Sequence, residues 1–394
     1  MKKFLAILMS VVLLLASFAL CASAEDAVAD PVLKFKEDGS FRIMQISDTH
    51  YTDQYNVIRP LGITLINTML DKYNPDLVVF TGDNIKGYFG LATPRTVIEA
   101  IDQLVSPVAN RNIPFAVVFG NHDFQSMVPE KQQMVFYNQY PTCLAENGYG
   151  YMTRHGNYNL TIKDSAGTKD IFNLWFADSG TKDINDDDAG IKEAQIKWYQ
   201  KTSDALAANN GGNPLPSLWF QHIPVRETLK LMTEVSAETE GAKKDSNTGK
   251  YYVLNEGVEG TLHTIPSYGV KDAGIYDAWV AQGDVIGAFF GHDHTNDYQG
   301  TTEDGILLAA TKTAGFWSRN EGENSGVRII DLNENDLTKV ETKSALFNEV
   351  YDGDINYSKA DYDKEERVKD FFYHILLEIR MIVKSFKYYV SFLF

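Results

Sequence analysis

The sequence contains little cysteine and few basic residues relative to acidic ones, and both shortages narrow the class of protein. Of 394 residues, only Cys21 and Cys143 are cysteines. Cys21 lies inside a predicted export signal, so the remaining chain has one thiol and forms no internal disulfide, which a core of this size does not need. Lys and Arg number 36 against 53 Asp and Glu, a formal net charge of −17. Such a surface repels nucleic acid, so we expect no nucleic-acid-binding surface.

The two ends of the chain differ in composition from the part between them. Residues 1–24 combine two lysines, an apolar run and a closing Ala-Ser-Ala, which predicts a cleaved signal peptide. We therefore expect a protein that is secreted or located at the cell surface or in the periplasm. Residues 25–350 are predicted to form one domain, and 351–394 a charged linker followed by a basic amphipathic helix.

The tail over 371–394 is apolar and aromatic but carries Arg380, Lys384 and Lys387 at helical spacing. Together with Glu378 these charges argue against a membrane span. A wide apolar face with a cationic stripe is typical of a helix that lies on an anionic membrane. The same pattern also suits a helix that packs on the domain or on a partner chain. Peripheral membrane contact through 371–394 is therefore one of two open interpretations.

Between the two ends, apolar runs of strand length alternate with helical patterns. The periodicity predicts helices over 60–73, 94–109, 129–139 and 190–207. Strands are predicted before, between and after these helices, at 43–46, 77–80, 115–119, 158–162, 171–176, 218–220, 285–290, 306–310 and 327–330. The strand–helix–strand order at the start of the chain indicates a largely parallel sheet there.

A long polar insertion over 234–270 interrupts this pattern. It is rich in Glu, Thr, Gly, Ser and Lys and has few large apolar residues. Because it lies between two of the motifs described next, we expect it near the rim of a site, either as a lid that contacts substrate or as a mobile loop. Tyr251, Tyr252 and His263 are its candidate contact residues.

Five short polar motifs each follow an apolar run. In order they are Asp48-Thr49-His50, Gly82-Asp83-Asn84, Gly120-Asn121-His122-Asp123, Trp219-Phe220-Gln221-His222 and Gly291-His292-Asp293-His294. Five of the eight histidines fall within them. Polar side chains at the carboxyl ends of successive strands converge on one rim of a sheet, where open α/β folds bind ligands.

The residue types in these motifs suit divalent or trivalent ions of the Mn, Fe and Zn kind, which accept mixed nitrogen and oxygen ligands. Two such ions, about 3.5–4 Å apart, can clamp a phosphate. A ligand shared by both ions must be a carboxylate, because each of its oxygens can bind one metal. Asp83 is the natural candidate for this bridge.

The order of the five motifs resembles that of the calcineurin-like metallophosphoesterase superfamily, over roughly 41–331. Stretches such as Leu-Val-Val-Phe-Thr-Gly-Asp-Asn at 77–84 are similar to a subgroup filed with the purple acid phosphatases. The resemblance implies an α/β sandwich of two mixed β-sheets flanked by α-helices. It further implies two metal ions, one held by Asp48, His50, Asp83 and His294, the other by Asp83, Asn121, His222 and His292.

The same resemblance implies the chemistry of a phosphoric ester hydrolase with a phosphate-ester substrate. A metal-bound hydroxide attacks phosphorus, and His122, which is not a ligand, assists the leaving group. Asp123 either orients His122 or holds its loop in place. Hydrolysis of a phosphate monoester is the leading function; a phosphodiesterase acting on nucleotides or lipid headgroups, and a surface protein that binds metal without turnover, are the alternatives.

One departure from the purple acid phosphatases concerns the metal. Those enzymes have an iron-binding tyrosine three residues after the bridging aspartate, where this chain has Lys86. They also lack a histidine at the place of His50. We therefore expect manganese or a mixed iron–zinc pair, without the purple colour of an iron–phenolate bond.

Overall fold

The computed structural model of the protein describes residues 31–51, 58–87, 94–148, 154–181, 188–316 and 322–353. The predicted signal peptide over 1–24 and the predicted tail helix over 371–394 lie outside these ranges. Among the helices in the described ranges, none has the length and apolar character needed to cross a lipid bilayer.

Strands and helices follow the predicted order closely. Within the described ranges the strands are β1 Ser40–Ile46, β2 Leu77–Thr81, β3 Phe115–Val118, β4 Tyr158–Lys163, β5 Asp170–Phe176, β6 Ser217–Phe220, β7 Met232–Val235, β8 Lys243–Lys244, β9 Tyr251–Leu254, β10 Val285–Phe290, β11 Gln299–Thr301, β12 Leu307–Ala310, β13 Gly326–Asn333 and β14 Asp336–Leu346. The α-helices of the same ranges are α1 Ile58–Tyr73, α2 Pro94–Ala109, α3 Glu130–Tyr137, α4 Glu193–Asn209 and α5 Ile275–Gln282. The start of α4 lies after the predicted 190, because Lys192 still has an extended backbone.

The first sheet, as far as the chain is described, has the strand order β14-β13-β1-β2-β3. β1, β2 and β3 run parallel, with α1 and α2 between them in the chain, as the sequence pattern predicted. Every residue of β2 is buried, which is typical of a parallel strand covered on both faces. α2 buries Val97, Ile101 and Leu104 at helical spacing. The parallel direction brings the carboxyl ends of three strands to one edge of the sheet.

The second sheet has the order β11-β12-β10-β6-β5-β4 within the described part of the chain. Its four central strands, β12, β10, β6 and β5, are parallel. Successive side chains of a strand point to opposite faces. Trp175 and Trp219 accordingly belong to an outer apolar cluster that includes Trp198 of α4. Their neighbours Phe176 and Phe220 belong to the inner core.

The inner core joins the two sheets face to face. The rings of Phe176, Phe220 and Phe289 stack side by side, with centroids 5.5 and 5.4 Å apart. They share one buried cluster with Ile43 and Phe80 of the first sheet. Full burial of a side chain of this size stabilises the fold by about 1.5–3 kcal/mol. The protein is thus an α/β sandwich of two mixed sheets flanked by helices, which confirms the predicted fold class.

The polar insertion over 234–270 contributes a small third sheet that the sequence did not predict. β7, β9 and β8 pair antiparallel in that spatial order. Tyr252 of β9 packs against the outer apolar cluster. This contact attaches the small sheet to the domain and turns one predicted contact residue toward the protein interior.

Candidate metal centre

The five motifs meet where strands of both sheets end. They lie in the loops that follow β1, β2 and β3 of the first sheet and β6 and β10 of the second. These loops are joined main chain to main chain: Asp48 N donates to Gly82 O at 3.1 Å, and Gly291 N donates to His222 O at 3.0 Å. The predicted convergence on a common rim is therefore what the structure shows.

Four residues of the cluster have a left-handed backbone. Their φ angles are +54° at Asp48, +46° at His50, +48° at Asp83 and +72° at His292. Asp and His enter this region more readily than most residues, at a cost of order 1 kcal/mol each. A left-handed residue in the loop after a strand changes the direction of the chain, so several short loops can direct side chains to one point.

The first group consists of Asp48, His50, Asp83 and His294. Each offers a donor atom, and all four atoms lie within 4.8 Å of one another. His50 Nε2 is 3.0 Å from His294 Nε2 and 3.6 Å from Asp83 Oδ2. His294 Nε2 is 3.4 Å from Asp48 Oδ1. All four residues are buried.

The second group shares Asp83 with the first. Asp83, His222 and His292 offer donor atoms within 4.8 Å of one another. His222 Nε2 lies 3.3 Å from Asp83 Oδ2 and 3.3 Å from His292 Nδ1. The other ring nitrogen of His222 is 2.9 Å from the carbonyl oxygen of Thr81, which fixes the ring so that Nε2 points into the cluster. Asn121, the remaining predicted ligand of the second ion, is also buried, with 5% of its surface exposed.

The two oxygens of Asp83 have different surroundings. Oδ1 accepts the main-chain N–H of His122 at 2.7 Å. Oδ2 faces His222 of one group and His50 of the other, at 3.3 and 3.6 Å. Oδ2 is therefore the oxygen of Asp83 that faces a histidine of each donor group.

The donor atoms fit two small cations. Ligands about 2.1 Å from a common ion, at angles of about 90–120°, lie about 3.0–3.6 Å from each other. Five of the distances within the two groups lie between 3.0 and 3.6 Å. Asp48 Oδ1 and Asn121 Oδ1 are buried and have no hydrogen-bond partner among the described residues. Buried oxygens of this kind cost free energy unless a donor or a cation binds them.

Burial and mutual charge set the protonation of the cluster. Burial lowers the pKa of His50 to about 3, so the ring is neutral and has a lone pair for a metal ion. Burial opposes ionisation of Asp48, but His294 and His222 lower its pKa to about 2. Burial also lowers the pKa of His222, yet Asp83 and Asp48 raise it to about 10. The two carboxylates are thus arranged to stabilise positive charge, which a metal ion can supply in place of a proton.

His122 and Asp123 follow Asn121 but lie outside both donor groups. The side chain of His122 is 30% exposed, and its Nε2 is 4.0 Å from Asp83 Oδ2. Its Nδ1 lies 2.8 Å from Gln125 Oε1, a partner that the sequence did not suggest. Asp123 is buried, and its carboxylate accepts the main-chain N–H groups of Gly120 and Ile85 at 2.7 and 3.0 Å. Of the two roles predicted for Asp123, this position favours holding the loop.

The loop that carries His292 and His294 also holds the end of the polar insertion. Asn296 Oδ1 accepts the main-chain N–H groups of His263 and Thr264 at 2.9 and 3.2 Å, and its Nδ2 donates to Thr264 O at 2.9 Å. The carboxylate oxygens of Asp293 accept the N–H of Ser267 at 3.2 and 3.1 Å. The insertion is therefore connected directly to the loop that carries two of the candidate ligands.

Lys86 stands where the purple acid phosphatases have their iron-binding tyrosine. Its main-chain N donates to the carbonyl oxygen of Tyr51, the residue after His50, at 2.9 Å. Partial burial lowers the pKa of its ammonium group, while the carboxylate of Asp83 acts in the opposite direction. The structure thus has a cationic side chain at this position beside the cluster.

Comparisons with known proteins identify the family. The family model for the calcineurin-like phosphoesterases matches residues 41–296. The chain therefore belongs to the calcineurin-like phosphoesterase family, as the motifs predicted.

Among related proteins, one from Arabidopsis thaliana named probable inactive purple acid phosphatase 29 is 29% identical over 353 residues, 80% of this chain and 83% of that protein. The protein named phosphatase DCR2 of Saccharomyces cerevisiae is 30% identical over 291 residues, 68% of this chain but 46% of that protein. A dimetal phosphatase from Danio rerio has 12% identity and a TM-score of 0.47, over 77% of this chain and 98% of that one. The names of the plant relatives are consistent with the predicted subgroup.

Proposed function

We propose that the protein is a two-metal phosphoric ester hydrolase that acts on phosphate monoesters. The observation that carries this proposal is the pair of donor groups that share Asp83 Oδ2. In the proposed assignment, one ion is held by Asp48, His50 and His294. The other ion is held by Asn121, His222 and His292. Asp83 is shared by both ions. The chemistry that two such ions supply is Lewis-acid activation of water and of the phosphate.

The remaining steps belong to the side chains of the chain itself. The side chain of His122 is 30% exposed, and its Nε2 lies 4.0 Å from Asp83 Oδ2. We propose that Nε2 delivers a proton to the departing oxygen of the ester, a contribution of about 10²–10⁴-fold in rate. Asp123 keeps the loops that carry Asp83 and Asn121 in a fixed relation through the hydrogen bonds that its carboxylate accepts from the main chain.

A decisive test measures metal content and turnover on one sample. Purified protein is stripped with chelator, reloaded with Mn²⁺, and assayed with an aryl phosphate monoester and the corresponding diester. Asp83→Asn should lose at least one metal and all turnover, because a single oxygen serves both groups. Asp331→Asn, which disturbs a surface pair with Arg42, is the matched control and should retain both. Full activity of the metal-free protein would contradict the proposal.

Two alternatives have distinct outcomes in the same assay. A phosphodiesterase would turn over the diester faster than the monoester. A protein that binds metal without turnover, which the names of the plant relatives favour, would hold two metals and hydrolyse neither ester. The complete donor set and the presence of His122 support the hydrolase instead.

Location outside the cytoplasm is part of the proposal and depends on the signal-like residues 1–24. Amino-terminal sequencing of the protein recovered from culture medium or from the cell envelope should show a chain that starts at residue 25. A chain that retains residues 1–24 and stays in the cytoplasm would refute export.

A further inference from the structure

Gln125 contacts the imidazole of His122 on the side away from the candidate metal ligands. The distance from Gln125 Oε1 to His122 Nδ1 is 2.8 Å, that of a good hydrogen bond. An amide oxygen accepts hydrogen bonds and does not donate them. The proton of the pair therefore lies on Nδ1, and Nε2 is the atom that remains for a substrate.

The rest of the contacts of His122 fix its position but not the rotation of its ring. Its main-chain N–H donates to Asp83 Oδ1 at 2.7 Å, which holds the backbone at the cluster. Its ring packs edge-on against the ring of His50, with centroids 4.9 Å apart. An edge contact of this kind tolerates a flip of the imidazole, whereas a hydrogen bond to Nδ1 does not. The contact of Nε2 with Asp83 Oδ2, at 4.0 Å, is longer than a hydrogen bond. The bond to Gln125 is therefore the hydrogen bond that distinguishes the two ring nitrogens.

The turn that presents Gln125 is held from several sides. Residues Asp123–Gln125 form a short 3₁₀ helix, in which Gln125 N donates to His122 O at 3.1 Å. Gln133 Nε2 donates to Asp123 O at 2.8 Å. Gly87 packs so closely on the turn that a Cβ at this position would lie 2.3 Å from the carbonyl carbon of Gln125. The acceptor is thus placed before any substrate binds.

Asp123 is the nearest acidic side chain in sequence, but its carboxylate is already committed to main-chain N–H groups. We propose that Gln125 is the positioning residue for His122, and that it holds Nδ1–H so that Nε2 faces the ester oxygen that leaves. This inference rests on the proposed function.

In the step itself, the Nε2–H proton passes to the leaving oxygen as its bond to phosphorus breaks. His122 is left neutral, with its remaining proton on Nδ1 and bonded to Gln125.

The test replaces Gln125 by residues of similar length. Gln125→Met removes the acceptor and keeps the volume, whereas Gln125→Glu keeps an oxygen acceptor. Gln282→Met, which removes a surface contact with Asp204, is the matched control. Each Mn²⁺-loaded variant is assayed for kcat and KM with phosphate monoesters that range from acidic phenol to alkyl alcohol leaving groups.

We expect Gln125→Met to lose about 10–100-fold in kcat with alkyl leaving groups, since a misplaced catalytic group can cost about 10²-fold. With the most acidic phenols the loss should be small, because such leaving groups need little protonation. KM and metal content should stay within about twofold of the parent protein. Gln125→Glu should recover most of the loss. In a His122→Ala background, Gln125→Met should have no further effect, because both variants remove the same step.

A second measurement does not depend on turnover. The ring nitrogens of His122, observed by ¹⁵N NMR in the metal-free protein, should show a protonated Nδ1 in the parent. Gln125→Met should shift this pattern toward a mixture of tautomers. An unchanged pattern, an equal loss for all leaving groups, or additivity with His122→Ala would each overturn the positioning role. Absence of turnover in the loaded parent protein with every ester would refute the proposed function, and the inference with it.

Discussion

Substitution of Asn296 tests whether the polar insertion supports the metal centre. Asn296→Ala removes three hydrogen bonds, two that its Oδ1 accepts from His263 and Thr264 and one that its Nδ2 donates to Thr264 O. His263 and Thr264 are exposed, so water replaces part of the loss, and each bond is worth about 1 kcal/mol net. The local loss is therefore about 2–3 kcal/mol. Because Asn296 lies two residues after His294, we expect metal affinity to fall about 10–100-fold.

Hydrogen exchange measures the local part of this prediction directly. The amides of His263 and Thr264 should exchange at least about 30-fold faster in Asn296→Ala, since about 1.4 kcal/mol corresponds to a factor of ten. Asn296→Asp keeps the oxygen that accepts both amides and should retain part of the protection. Asn210→Ala, at the exposed end of α4, is the control and should change neither exchange nor metal affinity. Unchanged exchange of the two amides in Asn296→Ala would refute the reasoning.

The remaining predictions concern the role of His122, the identity of the metal, the tail over 371–394 and a buried carboxyl group near the outer apolar cluster. His122→Ala should keep both metals and lose about 10²–10⁴-fold in turnover with a poor leaving group, whereas His292→Ala should lose metal as well; metal analysis with kinetics distinguishes the two. Concentrated metal-loaded protein should show no strong visible absorption band, because Lys86 replaces the phenolate ligand; a purple sample would contradict this. Deletion of 371–394 should abolish sedimentation with anionic vesicles and leave turnover intact if the tail lies on membranes; loss of folding would instead favour a helix packed on the domain. Burial raises the pKa of Asp284 above 3.8, so its ionised form costs stability that is regained as pH falls through the raised pKa. The free energy of unfolding of the parent protein, measured with denaturant, should therefore fall as pH rises from 4 to 7. That of Asp284→Asn should fall less over the same range.

The parts of the fold that the sequence predicted are those where apolar periodicity and burial coincide. β1, β2 and β3 are fully or largely buried runs that close on polar motifs. β14, Asp336–Leu346, was missed because it is an edge strand in which Ala345 alone is buried, so it has no apolar run. α5 was missed because it has eight residues, between Gly274 and Gly283, too few to establish a helical period.

The candidate site also has features that the sequence predicted and features that it did not. The types of donor residue and their convergence were predictable, since each donor follows a strand whose direction is set by the sheet. The contact between His122 and Gln125 was not, because it depends on a short 3₁₀ turn that no apolar period marks. The unequal use of the oxygens of Asp83 was also beyond prediction, because it depends on one main-chain hydrogen bond from His122.

The left-handed backbone at Asp48, His50, Asp83 and His292 means that backbone sterics do not explain the residue types at these four positions. Glycine adopts such φ angles without steric cost, whereas Asp and His cost of order 1 kcal/mol each there. Main-chain geometry alone would favour glycine in these loops. The side chains that stand there instead are explained by what they contact in the cluster, so these four positions are ones where function, and not the conformation of the chain, sets the residue.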